Sequence, residues 1–241
     1  MQLYAGIDLH SSNNYIGVIN EQDERLYSRR HRNRMRDVLS ALQPFRHSLE
    51  AVVVESTYNW YWIVDGLQDS GYAVHLANPS AIKQYEGLKY ADDKWDSFWL
   101  AHLRRLNILP EGYIYPKEQR PVRDILRRRA LYVKHRTSQI LSLKSTISRN
   151  CGYTVSSNEI KHLTEKDTEK MFDSPMLQLT AKLGIETIST LTQKIELIEK
   201  EVLSQLKLRP DFKSLLTIPG IGKILGLTIM LEVGDINRFA Q

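Results

Sequence analysis

Leu3-Tyr4-Ala5-Gly6-Ile7-Asp8-Leu9, followed by His10, reads as a short β-strand, apolar almost throughout, with a carboxylate set near its end. A run of this kind suits a buried central strand. Burying Asp8 there without a partner is costly, so the residue marks a place where something compensates its charge. Working outward, Tyr15–Ile19 and Arg25–Arg32 read as two further strands separated by polar turns, which makes the opening a meander. A helical stretch from Met35 to Phe45 follows. Next come the run Ala51–Val54, a helix from Tyr58 to Ser70 and a short strand from Tyr72 to Leu76.

Three strands, helix, strand, helix, strand is the RNase H-like order, an α/β domain with a mixed sheet. The lobes of the actin and sugar-kinase superfamily open in the same order, which would make this an ATP-binding protein. That fold expects a glycine-rich phosphate turn after the aspartate, whereas here the turn reads His10-Ser-Ser-Asn-Asn14. In the RNase H-like order the first and fourth strands are neighbours, so Asp8 and Glu55, which ends Ala51-Val-Val-Val-Glu55, project close together. Asp93 and Asp96 are three apart on a predicted helix, Asp93–Leu106, and share one face. Four converging carboxylates repel one another unless a cation compensates them, and hard oxygen ligands suit Mg²⁺ or Mn²⁺. Two such ions about 4 Å apart bridge a scissile phosphate in phosphodiester chemistry. Each acid taken singly has an ordinary reading: Asp8 a turn residue, Glu55 a helix-start acid, Asp92 or Asp93 an N-cap.

Beyond the Pro and Gly stretch Pro110–Pro116 the pattern is helical, and a boundary falls there. Leu126, Val133, Ile140 and Ile147 recur at intervals of seven. Ala181, Ile188, Ile195 and Val202 do the same, with Leu191 and Ile198 at the complementary position. Both stretches suit long helices packed as an antiparallel pair or coiled coil. Arg129 and Arg136 interrupt the first seam and are expected to face solvent or phosphate. Thr217-Ile-Pro-Gly-Ile-Gly222, running into an apolar helix Ile224–Val233, presents two glycines before a helix N-terminus. It serves either as a phosphate-receiving hairpin or as a tight interhelical turn.

The formal net charge of +5 singles out no partner, but its distribution does: Lys117–Asn150 holds ten Lys or Arg against two acids, so this segment carries +8 and the rest −3. A local basic stretch of this kind suits nucleic acid. Cys151 is the single cysteine, which excludes an internal disulfide framework, and no Cys and His cluster has zinc spacing. There is no signal-peptide pattern and no apolar run approaching the roughly 18 residues of a spanning helix, so the expectation is a cytoplasmic protein with no membrane partner. Six arginines crowd Arg25–Arg36 without an acid; a solvated strand face is the ordinary reading and contact with a nucleic-acid backbone the sharper one. Tyr58, Trp60, Tyr61 and Trp62 read as core, with Tyr58 the candidate for a ligand contact. His10, two residues past Asp8, points to the same sheet face; the sharper reading gives it a proton or a phosphate, the ordinary one a structural role.

An ordered set of motifs spans the chain: Gly-Ile-Asp-Leu-His around Asp8, Val-Val-Val-Glu-Ser-Thr around Glu55, His75-Leu-Ala-Asn-Pro79, Asp93-Lys-Trp-Asp96 followed by Trp-Leu-Ala, and Thr-Ile-Pro-Gly-Ile-Gly with Glu-Val-Gly-Asp-Ile-Asn-Arg-Phe. In this set the chain resembles bacterial insertion-sequence family 110, the DEDD transposases that include the Piv-type DNA invertases. The resemblance implies an RNase H-like (RuvC-like) mixed-sheet nuclease domain over 1–109. It further implies a basic helical, coiled-coil segment over 110–206 and the start of a transposase domain with a helix-hairpin-helix-like turn over 207–241. It implies Asp8, Glu55, Asp93 and Asp96 as catalytic metal ligands for Mg²⁺ or Mn²⁺, with Asp92 the lesser choice for the third. Expected partners are DNA (element ends and target), an element-encoded guide RNA, and further copies of the chain through the coiled coil. The expected nucleic-acid contacts are Arg127, Arg128, Arg129, Lys134, Arg136, Gly220, Gly222 and Lys223. The family's serine nucleophile lies in a region expected beyond Gln241, so the chain is read as C-terminally truncated and no serine is assigned. The implied activity is metal-dependent DNA strand cleavage and transfer; the alternatives are a junction nuclease using the same acids, or a nucleic-acid-binding remnant without catalysis.

Overall fold

The computed structural model describes residues 1–82, 93–204 and 210–239, in two compact units, Met1–Ile114 and Tyr115–Gln241. The first is built on a five-stranded mixed sheet of order β3-β2-β1-β4-β5, from β1 (Leu3–Leu9), β2 (Asn13–Asn20), β3 (Arg25–Arg32), β4 (Leu49–Glu55) and β5 (Val74–Ala77). β1–β3 form the antiparallel meander, while β4 and β5 run parallel to β1. With its connecting helices this is the RNase H-like arrangement that the sequence order predicts. Helices α1 (Met35–Leu42), α2 (Tyr61–Asp69), α3 (Pro79–Ile82) and α4 (Asp93–Arg105) complete the unit. α2 begins at Tyr61 rather than Tyr58, leaving Tyr58 in the preceding turn and 82% exposed, while Trp60 is buried.

Strand alternation decides which residues of β1 face α4. Ala5, Ile7 and Leu9 point to one side and are buried, alongside the apolar residues Val38 and Leu42 of α1 and Ile63, Val64 and Leu67 of α2 in the core. Gly6 and Asp8 point to the other side, where α4 lies directly on β1 and β2. The approach is close enough to require glycine. A Cβ on Gly6 would stand 1.8 Å from the carbonyl oxygen of Ser97, and one on Gly17 would stand 2.7 Å from Ser97 Oγ. Ser97 itself is fully buried and donates its hydroxyl to Lys94 O at 2.9 Å.

Among the described residues the second unit holds helices and no strand: α5 (Arg120–Cys151), α6 (Ser157–His162), α7 (Glu165–Met171), α8 (Pro175–Ser204), α9 (Pro210–Leu215) and α10 (Lys223–Val233). α5 ends at Gly152, whose left-handed φ of 78° suits a glycine stop. α6 starts on a capping box between Ser156 and Glu159. α5 and α8 pack antiparallel: Ile140, Leu143 and Ile147 share a cluster with Ala181 and Ile188, and Leu126 shares one with Ile198 and Val202. The packing adds a partner to Arg129 and Arg136. Arg129 Nη2 lies 2.6 Å from Glu199 of α8, and Arg136 Nη1 donates to Thr192 Oγ1 at 3.2 Å, so both reach the facing helix while staying partly exposed. Long arginine stems fill a seam position while their heads pair across it.

Candidate metal centre

Asp8 and Glu55 end neighbouring parallel strands. The register Gly6 to Val53 and Ile7 to Val54, continued by one step, sets the two carboxylates side by side. α4 begins above them, so Asp93 and Asp96 in its first turn complete an acidic group. Asp8 is 3% exposed. Burial first, then a hydrogen bond and the charge of Glu55, then the charges of Asp96 and Asp93, push its carboxyl up to about 8. Protein groups thus leave the Asp8 charge uncompensated, which is the condition a bound cation would relieve.

His10 lies between Asp8 and Asp93. Its Nε2 stands 3.1 Å from Asp8 Oδ2 and 3.4 Å from Asp93 Oδ1, and the three atoms lie within 4.8 Å of one another. Asp8 Oδ2 and His10 Nε2 are both buried yet make no hydrogen bond. The second oxygen of Asp93 accepts from Arg30 Nη2 of β3 at 2.5 Å. Two oxygens, one nitrogen and nearby Glu55 and Asp96 make a donor set that fits a hard or borderline divalent cation.

Several of these roles escape sequence reasoning. The β1–β2 turn is tied down by asparagines: Asn33 Nδ2 and Asn59 Nδ2 donate to the carbonyl oxygen of His10 at 2.9 and 3.1 Å, and buried Asn14 donates to Asn33 Oδ1 at 3.0 Å. Asparagines in polar turns carry no signal of such convergence in a single sequence. The solvated reading of Arg25–Arg36 holds at Arg25 and Arg30, both exposed, and these two also make contacts: Arg30 holds Asp93, and the Arg25 guanidinium sits 4.1 Å from the ring centre of Trp95 and 4.5 Å from that of Phe98. His10 stands beside Asp8 and Asp93 in the candidate centre. Asp92 lies outside the described residues.

Of the expected nucleic-acid contacts, Arg128 and Lys134 on α5 and Lys223 at the start of α10 are exposed. Arg127 pairs with Glu232 at 2.6 Å, and this bond holds the Glu232 carboxyl below its usual range. Gly220 takes φ +87° as the third residue of a turn, Ile218–Ile221, closed by Ile221 N donating to Ile218 O at 3.1 Å. Pro219 in second place and glycine in third are the type II signature, and Gly222 caps α10 behind them.

The family DEDD_Tnp_IS110, described as a transposase, matches residues 5–151, and the Transposase IS116/IS110/IS902 family matches residues 213–241. No curated protein matches the chain. Among solved structures, T. thermophilus RuvC in complex with Holliday junction substrate is similar at 18% identity and a TM-score of 0.36, over 46% of this chain and 100% of that one.

Proposed function

The chain belongs to the IS110 family of insertion-sequence transposases, DNA recombination enzymes, and from that premise we propose that Asp8, Glu55, Asp93 and Asp96 hold divalent cations for DNA strand cleavage and transfer. The observation that carries this reading is the buried Asp8 carboxylate, whose Oδ2 has no hydrogen-bond partner while it faces other ligand-type atoms. Mg²⁺ or Mn²⁺ bound there supplies the Lewis acidity that activates an attacking oxygen and stabilises a leaving one. The protein's own work is positional. β1 and β4 fix Asp8 and Glu55 at adjacent strand ends, the glycine-seated α4 fixes Asp93 and Asp96, and Arg30 orients Asp93 by holding its outer oxygen.

The domain assignment within this proposal keeps the nuclease over 1–109, the basic helical segment over 110–206 and the start of the transposase domain over 207–241. DNA is the partner. A guide RNA and self-association along the α5–α8 pair are further parts of the proposal. They are supported by the +8 segment Lys117–Asn150 and by exposed Leu179, Leu183 and Leu197 on α8. A cytoplasmic setting goes with this reading; no helix among the described residues is long and apolar enough to cross a membrane.

The test is calorimetric titration of Mn²⁺ into the chain and into Asp8→Asn and Asp93→Asn, each with a short DNA duplex present. The expected result is binding by the parent and loss in both variants; binding retained in both removes the four-acid site.

A further inference from the structure

The four acids supply oxygen ligands alone, yet a nitrogen stands inside the same group. In an octahedral shell with bonds of about 2.1 Å, adjacent ligand atoms lie about 3.0 Å apart. His10 Nε2 is 3.1 Å from Asp8 Oδ2 and 3.4 Å from Asp93 Oδ1, the spacing of ligands at neighbouring corners. Their geometry is not that of a donor and acceptor: neither Asp8 Oδ2 nor His10 Nε2 makes a hydrogen bond, although both atoms are shielded from water. The Asp8 side chain is only 4% exposed, so its idle oxygen is a costly feature that a shared cation would satisfy. The surroundings hold these atoms in place. Asn33 and Asn59 anchor the His10 backbone, and Arg30 takes the outer oxygen of Asp93, leaving Oδ1 toward His10.

We propose that His10 is itself a metal ligand through Nε2, and that this nitrogen biases the site toward Mn²⁺ over Mg²⁺. The proposal rests on the metal-binding reading of the acidic group. Imidazole suits transition metals, whereas Mg²⁺ takes oxygen ligands and gives up its waters reluctantly, so one nitrogen corner separates the two ions.

Pulsed electron paramagnetic resonance on the full chain loaded with Mn²⁺, with histidines carrying ¹⁵N or ¹⁴N, reads the bond directly. The expected result is a hyperfine coupling that changes with the histidine isotope in the parent and vanishes in His10→Gln, while Mn²⁺ still binds. By calorimetry His10→Gln loses at least about tenfold in Mn²⁺ affinity, with a smaller loss for Mg²⁺. The His10 side chain is 40% exposed, so the substitution spares the core. Bound Mn²⁺ without histidine coupling in the parent, or coupling that survives His10→Gln, overturns the ligand assignment and leaves the carboxylates standing. Failure of the parent chain to bind Mn²⁺ overturns both.

Discussion

Asp8 shows how one residue can carry a cost that its proposed role would offset. An acid whose carboxyl is pushed up to about 8 from its ordinary 3.8 keeps, when folded, a proton that the unfolded chain releases. Between those two values the unfolded state binds fewer protons, so the contribution to stability is full below the lower value and is lost as pH rises toward 8. Without a cation, the chain is therefore expected to lose stability from this group as pH is raised from about 4 to about 8. Denaturant midpoints in chelator across that range check it, and Asp8→Asn is expected to flatten the slope. A slope unchanged by Asp8→Asn would show that Asp8 does not titrate in this way. The same linkage makes Mn²⁺ affinity rise with pH up to about 8, because the cation must displace the proton.

At the scale of elements, the site depends on a helix seated against glycines. Asp93 and Asp96 stand in the first turn of α4, and Ser97 of that helix touches the space where Gly6 has no side chain. Gly6→Ala drives the new Cβ to 1.8 Å from the Ser97 carbonyl oxygen, so α4 must lift. The expected cost is about 1–3 kcal/mol of stability, the range for overpacking. Mn²⁺ affinity is expected to fall with it, since two of the proposed ligands ride on the displaced helix. Urea unfolding and calorimetry on this variant measure the two effects; a stable variant with unchanged metal affinity would separate helix seating from the site. The element order was legible in the sequence because strand and helix periods differ and turn residues punctuate them: β1 and β3 start and end where the pattern puts them. The seam of the α5–α8 pair was legible only in part. Heptad spacing located the helices, but a pattern rule that treats arginine as surface cannot foresee Arg129 reaching Glu199.

At the scale of the whole molecule, the basic charge is concentrated in one segment of the second unit, while the acids that define the candidate centre belong to the first. Arg128→Ala with Lys134→Ala is expected to weaken binding of both DNA and RNA and to reduce the salt dependence of log K by about 2, roughly one for each phosphate no longer neutralised. An unchanged salt slope in filter binding would remove these residues from the interface; light scattering on the same samples reads self-association. Asp8 and Glu55 stood out in the sequence because carboxylates at the ends of apolar strands violate local pattern. The groups that organise the acids did not: Arg30, Asn33 and Asn59 converge on the site from β3 and from turns, and only the folded chain brings them there. The most direct measurement is anomalous diffraction from crystals of the chain grown with Mn²⁺. A peak bounded by Asp8, Glu55, Asp93 and Asp96 is the predicted result, and a map with Mn²⁺ bound elsewhere and none at these four carboxylates would contradict the proposed centre.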